Sequence, residues 1–353
     1  MAAPKLVKTL KVRVRDKHAP LLRAMSREVN FTWNYVNELT SRMIRERHRW
    51  PSAFDLAPSV AGASQCFEHI GSTTIDEVCA VHAKSRKQAG RVRLAWRVSN
   101  PKSRRYSLGW VPFKSRGARW RYGQVHFAGH AFKVWDSYNL AAYGFRAGAF
   151  VEDARGRWYF TVTVEVGASC PAGVRHPVGI DPGLSNSATA STGLKAPSRR
   201  YRELEDAIGM QQRAKNPERV RALHAKVKNR RNDDAHKFSR AVVDGASVVC
   251  MGNWKPPASG RSRWAKSARD GALATLKGML RYKCEHAGIP YQEVDEKMSS
   301  RTCSGCGAVH DSPRGRAWLG VREWECQHCG VVHDRDVNGA INILVSGVGH
   351  GPQ

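Results

Sequence analysis

The sequence has no long hydrophobic run. No stretch of about 18 or more consecutive apolar residues occurs in the chain of 353 residues, so no segment has the length of a membrane-spanning helix. The N-terminal segment also lacks the apolar core of a secretory signal peptide. These two absences predict a cytoplasmic protein without a membrane partner.

Acidic residues are scarce. The chain carries 30 Asp and Glu against 58 Lys and Arg, which gives a net charge of +28. A polyanion would neutralise this excess, so nucleic acid is the predicted partner. An anionic membrane surface is the alternative on charge alone, and the absence of a long apolar run disfavours it. A nucleic-acid partner is typical of a nucleoid-associated protein. Hydrophobic residues make up 41% of the chain, which allows a sizeable core and disfavours disordered and fibrous classes.

Most cysteines are placed for neither disulfides nor metal. Five of the nine lie singly, as reduced thiols do. The other four form two pairs, Cys303–Cys306 and Cys326–Cys329, each followed by glycine. Two such pairs can bring four thiolates to ~2.3 Å from one ion, which predicts one structural Zn²⁺. A thioredoxin-like redox pair is the alternative. His310, His328 and His333 are nearby substitute ligands.

Hydrophobic periodicity predicts two kinds of region. A strand at residues 5–15 and helices over Leu21–Arg47 and Thr74–Lys87 precede six short strands between residues 90 and 166. Those strands, the first of them in the sequence VRLAWRV, predict an antiparallel barrel or sandwich. From Val178 onward strands alternate with helices, which predicts an α/β domain. Within it, Tyr201–Asn232 is predicted as one long basic helix.

Basic and aromatic residues interleave at a few positions. Arg119, Trp120, Arg121 and Tyr122 are consecutive, and Arg230 and Arg231 lie in the long basic helix. Guanidinium groups can hold phosphates while rings stack on unpaired bases, so we predict nucleic-acid contacts at both places. The alternatives are barrel core for the rings and a solvated helix face for Arg230 and Arg231.

Three acidic residues follow predicted strands. Asp181 ends the strand that begins at Val178, Glu296 ends a strand over Tyr291–Glu296, and Asp336 precedes a helix over Gly339–Val345. Three converging carboxylates could hold two Mg²⁺ ions for phosphodiester cleavage. Taken singly, Asp181 could instead form a turn, and Asp336 could be a helix N-cap.

Several motifs resemble those of the TnpB family of transposon-encoded, RNA-guided nucleases, which are relatives of the type V CRISPR effectors. Residues 178–193, VGIDPGLSNSATASTG, resemble the first RuvC motif, which contains Asp181. Residues 299–307, SSRTCSGCG, and 324–344, WECQHCGVVHDRDVNGAINIL, resemble the zinc ribbon and the third RuvC motif, with Asp336 as a metal ligand. The clear resemblance covers residues 178–347.

One motif departs from the family pattern. The second RuvC strand of most members ends in a glutamate, but residues 248–254, VVCMGNW, contain no acid. Either the site is inactive or another glutamate replaces the missing one. We favour Glu296, which lies where a subset of the family carries a relocated glutamate. Glu293 is the weaker substitute and Asp295 the next candidate.

The resemblance implies an α+β multidomain architecture. A wedge-like β-barrel would comprise residues 1–15 and 90–166, with a helical recognition insert at 16–89. An RNase H-like RuvC domain would comprise 167–298 and 334–353, with the zinc ribbon inserted at 299–333.

The resemblance also implies an endonuclease that uses a bound guide RNA to find complementary double-stranded DNA beside a short flanking motif. Two alternatives stay open. One is a guided, cleavage-dead DNA-binding repressor, and the other is an unguided transposase or resolvase with an RNase H-like core.

Overall fold

The protein is described by a computed structural model over residues 6–47, 50–167, 173–254, 272–310 and 320–349. The chain divides into two compact units, one of Lys5–Val166 and one of Gly167–Gln353 with Met1–Pro4. Both contain helices and sheets, which confirms the α+β class. Across the described ranges, no helix combines the length and the apolar character needed to cross a membrane.

The Lys5–Val166 unit, called the N-terminal unit below, contains two antiparallel sheets. Its strands are β1 Leu6–Val14, β2 Trp110–Phe113, β3 Ala118–Arg121, β4 Gln124–Phe127, β5 His130–Phe132, β6 Val134–Trp135, β7 Phe145–Glu152 and β8 Trp158–Val166. Its helices are α1 Ala19–Arg47, α2 Ala53–Val60 and α3 Ser72–Ala89. The first sheet has the order β2-β7-β8-β1-β6, and the second has the order β3-β4-β5. The described strands thus form two sheets, and closure into a barrel stays a prediction.

Aromatic side chains fill the core of this unit. The rings of Phe113, Phe150 and Phe160 are fully buried and lie 5.1–6.2 Å apart, centroid to centroid. Along β1, Leu10, Val12 and Val14 are buried. This alternation buries one face of β1 and confirms the predicted N-terminal strand in the residues that are described.

The predicted strand in VRLAWRV is wrong. Residues 91–99 form no strand, and Val98 makes only an isolated bridge to Tyr106. Asparagines of α1 bind this segment instead. Asn37 donates to the carbonyl of Leu94 at 2.8 Å and accepts from its N–H at 3.0 Å, and Asn34 pairs with Arg97 at 2.9 and 2.8 Å. These amides satisfy backbone groups that a neighbouring strand would otherwise satisfy.

The second unit, called the C-terminal unit below, is built on a mixed sheet. Its strands are β9 His176–Pro182, β10 Asn186–Ala190, β11 Lys195–Pro197, β12 Ala246–Gly252, β13 Tyr291–Val294, β14 Glu323–Glu325 and β15 Val332–Asp334. Its helices are α4 Glu205–Arg213, α5 Pro217–Gly245, α6 Leu273–Ala287 and α7 Arg335–Val348. The main sheet has the order β11-β10-β9-β12-β13. Strand β12 runs parallel to both β9 and β13, whereas β10 runs antiparallel to β9.

The single basic helix predicted over Tyr201–Asn232 is two helices. The chain leaves α4 after Arg213, and α5 begins at Pro217. Asn216 caps α5 because its side-chain oxygen accepts from the N–H of Arg219 at 3.1 Å. Proline is favoured at the first position of a helix because its missing N–H has no partner there anyway. The break therefore has a local cause in the pair Asn216-Pro217.

Helix α7 packs directly against β9. A Cβ at Gly179 of β9 would overlap the carbonyl oxygen of Ala340 and crowd Leu344. Only glycine at this position allows the helix axis to approach the strand so closely. The consequence is that the first turn of α7 lies beside the C-terminal end of β9, where Asp181 is found.

Candidate functional site

Asp181 and Gly252 occupy neighbouring positions at the ends of two parallel strands. Ile180 of β9 pairs with Met251 of β12, so the next residue on each strand is Asp181 and Gly252. Carboxyl ends of parallel strands meet at one edge of a sheet, where ligand sites commonly form. An acidic residue at the end of β12 would occupy the position of Gly252, but glycine has no side chain that could bind a metal.

The carboxylate of Glu296 lies in the space that Gly252 leaves. A Cβ at Gly252 would overlap Oε2 of Glu296 and also crowd Pro182, which follows Asp181. Glu296 was predicted at the end of a strand, but β13 ends at Val294, and Glu296 lies in the loop beyond it. The loop carries the carboxylate back over the end of β12, which a straight strand would not do.

Asp336 lies in the first turn of α7. The helix begins at Arg335, and Asp334 is its N-cap, whose Oδ1 accepts from the N–H groups of Asp336 and Val337 at 3.0 Å each. The alternative that Asp336 itself caps the helix is therefore wrong. The Asp336 side chain is 13% exposed and accepts from Arg335 at 3.0 Å, with Arg322 at 3.7 Å. A Cβ at Gly339, one turn on, would lie 3.1 Å from Asp181 Oδ2.

Charge interactions link the three carboxyl groups. Burial raises the pKa of Asp181 well above its ordinary value, and Glu296 and Asp336 raise it further, while Arg335 opposes them. Burial also raises the pKa of Glu296 to about 7, against the opposing effects of the Trp254 N–H and Lys277. Like charges raise pKa values in this way when they share a site of low dielectric. The structure thus brings Asp181, Glu296 and Asp336 to one edge of the sheet.

The donor set fits hard metal ions. All three groups offer carboxylate oxygens, which Mg²⁺ prefers as ligands. Oε2 of Glu296 is buried and has no hydrogen-bond partner among the described residues. A buried acceptor without a partner is costly, and a bound cation would satisfy it.

The other acids near Glu296 are placed differently. Glu293 forms ion pairs with Lys277 at 3.0 Å and Arg281 at 2.8 Å, both on α6. These cations outweigh burial and lower the pKa of Glu293. Asp295 is exposed and accepts from the N–H of Lys297. The geometry therefore favours Glu296 over the two substitutes.

The four paired cysteines form a compact cluster. Cys303 and Cys329 have their sulfurs 3.6 Å apart, as do Cys306 and Cys326, and all four sulfurs lie within 4.8 Å of one another. A tetrahedral site with metal–sulfur bonds of 2.3 Å has sulfur–sulfur edges of about 3.8 Å. Within the described ranges this is the one such compact group of potential ligands. The cluster could hold a metal ion.

Histidines flank this cluster as neighbours of the sulfurs. His333 Nε2 lies 3.0 Å from the Cys303 sulfur. A hydrogen bond from His310 lowers the pKa of Cys326 to about 5, which favours the thiolate that binds metals. Both imidazoles pack on the ring of Trp324, at 4.3 and 4.7 Å between centroids. His328 is exposed.

Two asparagines connect α7 to the loop that leads into Cys303. Asn342 donates to the carbonyls of Ser299 and Thr302 at 2.7 and 2.6 Å, and Asn338 donates to the same two oxygens at 3.3 and 2.8 Å. Asn338 also accepts from the N–H of Ser304 at 2.9 Å. The sequence motif contains both residues, but nothing in it indicated that they hold the loop between Glu296 and the cysteines.

The predicted nucleic-acid residues lie in both units. Arg119 and Arg121 are exposed on β3, Trp120 is half-buried, and Tyr122 is 90% exposed at the turn after β3. In the C-terminal unit, Arg230 forms an ion pair with Glu203 at 2.9 Å. Arg231 lies beside it on α5, at a small pocket near Asp234.

Comparisons with known proteins bear on this site. Residues 274–343 match the family described as "Cas12f1-like, TNB domain". A Streptomyces pristinaespiralis protein named "Putative RNA-guided DNA endonuclease" is 34% identical over 211 residues, covering 56% of this chain and 51% of the relative. "TnpB-like protein L79" of Acanthamoeba polyphaga mimivirus is 34% identical over 138 residues, covering 36% of this chain and 25% of the relative.

The chain is related to the TnpB family. The resemblance seen in the motifs is thereby confirmed, and the matches span about half of the Streptomyces protein and a quarter of the viral one. The fold also resembles that of a solved structure, "Cryo-EM structure of the Cas12f1-sgRNA-target DNA complex". The TM-score is 0.59 at 12% identity, over 96% of this chain and 99% of the other. The shared feature is the fold, and this chain carries Gly252 and Glu296 within it.

Proposed function

We propose that the protein is an RNA-guided DNA endonuclease that cleaves double-stranded DNA complementary to a bound guide RNA, next to a short flanking motif. The observation that carries the proposal is the gathering of Asp181, Glu296 and Asp336, with Gly252 leaving the space that the Glu296 carboxylate occupies. The names of the TnpB-family relatives support the substrate class. Guide pairing would read the DNA sequence, while the protein reads the flanking motif and the shape of the heteroduplex.

In this proposal the three carboxylates hold two Mg²⁺ ions. The chemistry that the bound ions supply is activation of a water and stabilisation of the leaving 3′-oxygen in phosphodiester hydrolysis. The protein's own part is to fix the donors. Strand β9 fixes Asp181, the N-cap Asp334 and the first turn of α7 fix Asp336, and the loop after β13 fixes Glu296.

The remaining residues have structural or binding roles in the proposal. Cys303, Cys306, Cys326 and Cys329 hold one Zn²⁺ that stabilises the ribbon. Residues 167–298 and 334–353 form the RuvC domain, and 299–333 form the zinc ribbon. Residues 1–15 and 90–166 form the wedge domain around the helical insert at 16–89. Arg119, Trp120, Arg121, Tyr122, Arg230 and Arg231 contact nucleic acid.

Single substitutions test the nuclease proposal. Asp181→Ala and Glu296→Gln should each reduce cleavage of target DNA in Mg²⁺ buffer at least about 100-fold, because each removes a metal ligand, while binding of copurifying RNA persists. Asp295→Asn is the matched control, since it removes an exposed carboxylate beside Glu296 and should cleave normally. Cleavage by Glu296→Gln at the wild-type rate would exclude Glu296 from the site.

Sequencing of the nucleic acid that copurifies with the protein separates the alternatives. A single RNA species of defined length, with cleavage of matching DNA, is the expected result. Such an RNA with target binding but no product would indicate a guided, cleavage-dead protein. Absence of RNA together with cleavage at fixed DNA ends would indicate an unguided transposase or resolvase.

A further inference from the structure

The three-stranded sheet of the N-terminal unit borders a cleft that is part of neither the candidate metal sites nor the hydrophobic core. The cleft has a volume of about 250 Å³ and runs along β3, which is an edge strand of this sheet. Its lining residues include Arg116, Arg119, Trp120 and Tyr143. Arg116 and Tyr143 did not stand out in the sequence.

The walls of the cleft combine rigid rings with free positive charge at the rim. Trp120 and Tyr143 are half-buried and pack against the hydrophobic core of the unit, so their rings are held in place. Arg116 and Arg119 are exposed. Fixed aromatic walls with guanidinium groups beside them suit a planar ring attached to a phosphate.

Tyr122 extends the same surface at the far end of β3. It forms a two-residue turn with Gly123, with φ values of 50° and 70°, and its side chain is 90% exposed. The next turn of the sheet has the same form but uses Ala128 and Gly129, with φ values of 48° and 78°. The turn therefore does not need a ring. Asn is the residue most favoured at this position, so Tyr122 costs stability relative to Asn. The Tyr122 ring lies 6.4 Å from the ring of His126, centroid to centroid.

The size and charge of the cleft select the ligand. A volume of about 250 Å³ is of the order of a single nucleotide. Bases within a duplex are stacked and cannot enter a side cleft, whereas RNA loops and ends present unstacked bases that bind aromatic and arginine side chains. We propose that the β3 edge binds an unpaired nucleotide of RNA, with its base between Trp120 and Tyr143. Its phosphates lie at Arg116 and Arg119, and the neighbouring base stacks on Tyr122.

This inference rests on the proposed function in that the RNA is the guide, but it is tested separately from cleavage. The probe is a single-stranded RNA decamer containing one 2-aminopurine, added to the full-length protein after removal of copurifying RNA. Fluorescence anisotropy gives Kd, and 2-aminopurine emission reports stacking. A blunt RNA duplex and a DNA decamer of the same sequence serve as competing probes.

Three variants and one control separate the contributions of charge, stacking and the turn. Arg116→Gln/Arg119→Gln should weaken binding of the single-stranded RNA about tenfold, whereas Arg27→Gln/Arg155→Gln, with the same loss of charge on exposed positions, should weaken it about twofold or less. Tyr143→Ala should abolish the quenching of 2-aminopurine emission and weaken RNA binding about tenfold. Tyr122→Asn should weaken binding while raising Tm by about 2–4 °C, because it relieves the turn. Opposite signs for affinity and stability would separate a binding role from a structural one.

Each outcome decides the proposal. Equal losses for the two arginine pairs, equal losses for duplex and single-stranded RNA, or tighter binding of the DNA decamer would overturn it. So would unchanged quenching in Tyr143→Ala. If these variants bind RNA normally and still cleave DNA, the cleft proposal fails and the nuclease proposal stands. If the variants behave as expected but the wild type cleaves no DNA, the nuclease proposal fails and the cleft proposal stands.

Discussion

At the scale of single residues, the absence of one side chain shapes the candidate site. A Cβ at Gly252 would overlap Glu296 and Pro182 and lie 3.2 Å from Ile343. A methyl group there would have to displace at least one of them, and the packed sheet edge leaves little room. The glycine and the glutamate therefore act as one unit in which each position constrains the other.

Exchange of the two residues tests this dependence. Gly252→Glu alone should reduce cleavage and lower Tm, because two carboxylates would compete for one buried space. Gly252→Glu/Glu296→Gly should recover part of the lost Tm and at least about a tenth of wild-type cleavage, since a carboxylate returns to the same place from β12 while the contact of the new Cβ with Pro182 remains. Rates and melting curves of the three proteins measure this. A double variant no better than either single variant would contradict the interpretation.

His333 supplies a second test at this scale. Its contact with the Cys303 sulfur should orient that ligand, and loss of such a contact typically weakens metal binding 10–100-fold. On the proposed zinc site, His333→Ala should therefore release zinc to a chromogenic chelator at about one tenth of the chelator concentration needed for wild type, or less. His328→Ala, an exposed histidine of the same ribbon, is the control and should release zinc as wild type does.

At the scale of elements, helices α5 and α6 are joined by a buried lysine. Lys283 of α6 is 5% exposed and donates to the carbonyl of His236 at 2.8 Å and to the hydroxyl of Ser239 at 2.7 Å. Burial lowers the pKa of Lys283 to about 8, and nearby Arg240 lowers it further while Asp244 opposes this. Both hydrogen bonds fix the packing of α6 on α5, but the charge is costly to bury.

This pKa predicts a pH-dependent stability. Between pH 8 and the ordinary lysine pKa of about 10.4, the unfolded chain binds a proton that the folded chain has released, so stability rises with pH in this window. Relative to Lys283→Met, wild type should gain about 2 kcal/mol between pH 7.5 and 9.5. Urea unfolding of both proteins at these pH values measures the difference. A constant difference would show that Lys283 keeps its ordinary pKa.

Elements with local signals were predictable from sequence. Helix α1, strand β12 and the two cysteine pairs follow from apolar spacing and from Cys-x-x-Cys turns. The break before α5 also had a local signal, Asn216-Pro217, which the basic pattern of the region obscured. Elements decided by distant partners were not predictable. The segment at residues 91–99 alternates like a strand, but α1 supplies its hydrogen-bond partners through asparagine side chains.

In the candidate site, too, residues with a local sequence signal were predictable and residues placed by distant partners were not. Asp181 follows from its strand and turn, and Asp336 from its motif. Glu296 could be predicted from the sequence, but its position beside Gly252 could not. The loop after β13 brings it back to the end of β12, and no local sequence signal shows this. The cleft residues Arg116 and Tyr143 are separated in sequence and meet only beside the edge of β3.

At the scale of the whole molecule, the two units have separate cores, one of buried phenylalanines and one around the mixed sheet. The ribbon and α7 belong to the C-terminal unit. On the proposed zinc site, a chelator should therefore increase hydrogen exchange in β14, β15 and the start of α7, while exchange in β1 and β8 stays unchanged. Exchange mass spectrometry of the whole chain with and without chelator measures this. A matching increase in β1 would show that the units unfold together.

The pairing of Gly252 with Glu296 also affects how inactive members of a family are recognised. A search that requires an acid at the end of the second parallel strand would class this chain as catalytically dead, although the same volume holds a carboxylate from another part of the chain. On the proposed function, counts of degenerate nucleases made position by position would include this chain wrongly. A glycine at that strand end, together with an acid a short way past the following strand, is the pattern that would separate relocation from decay.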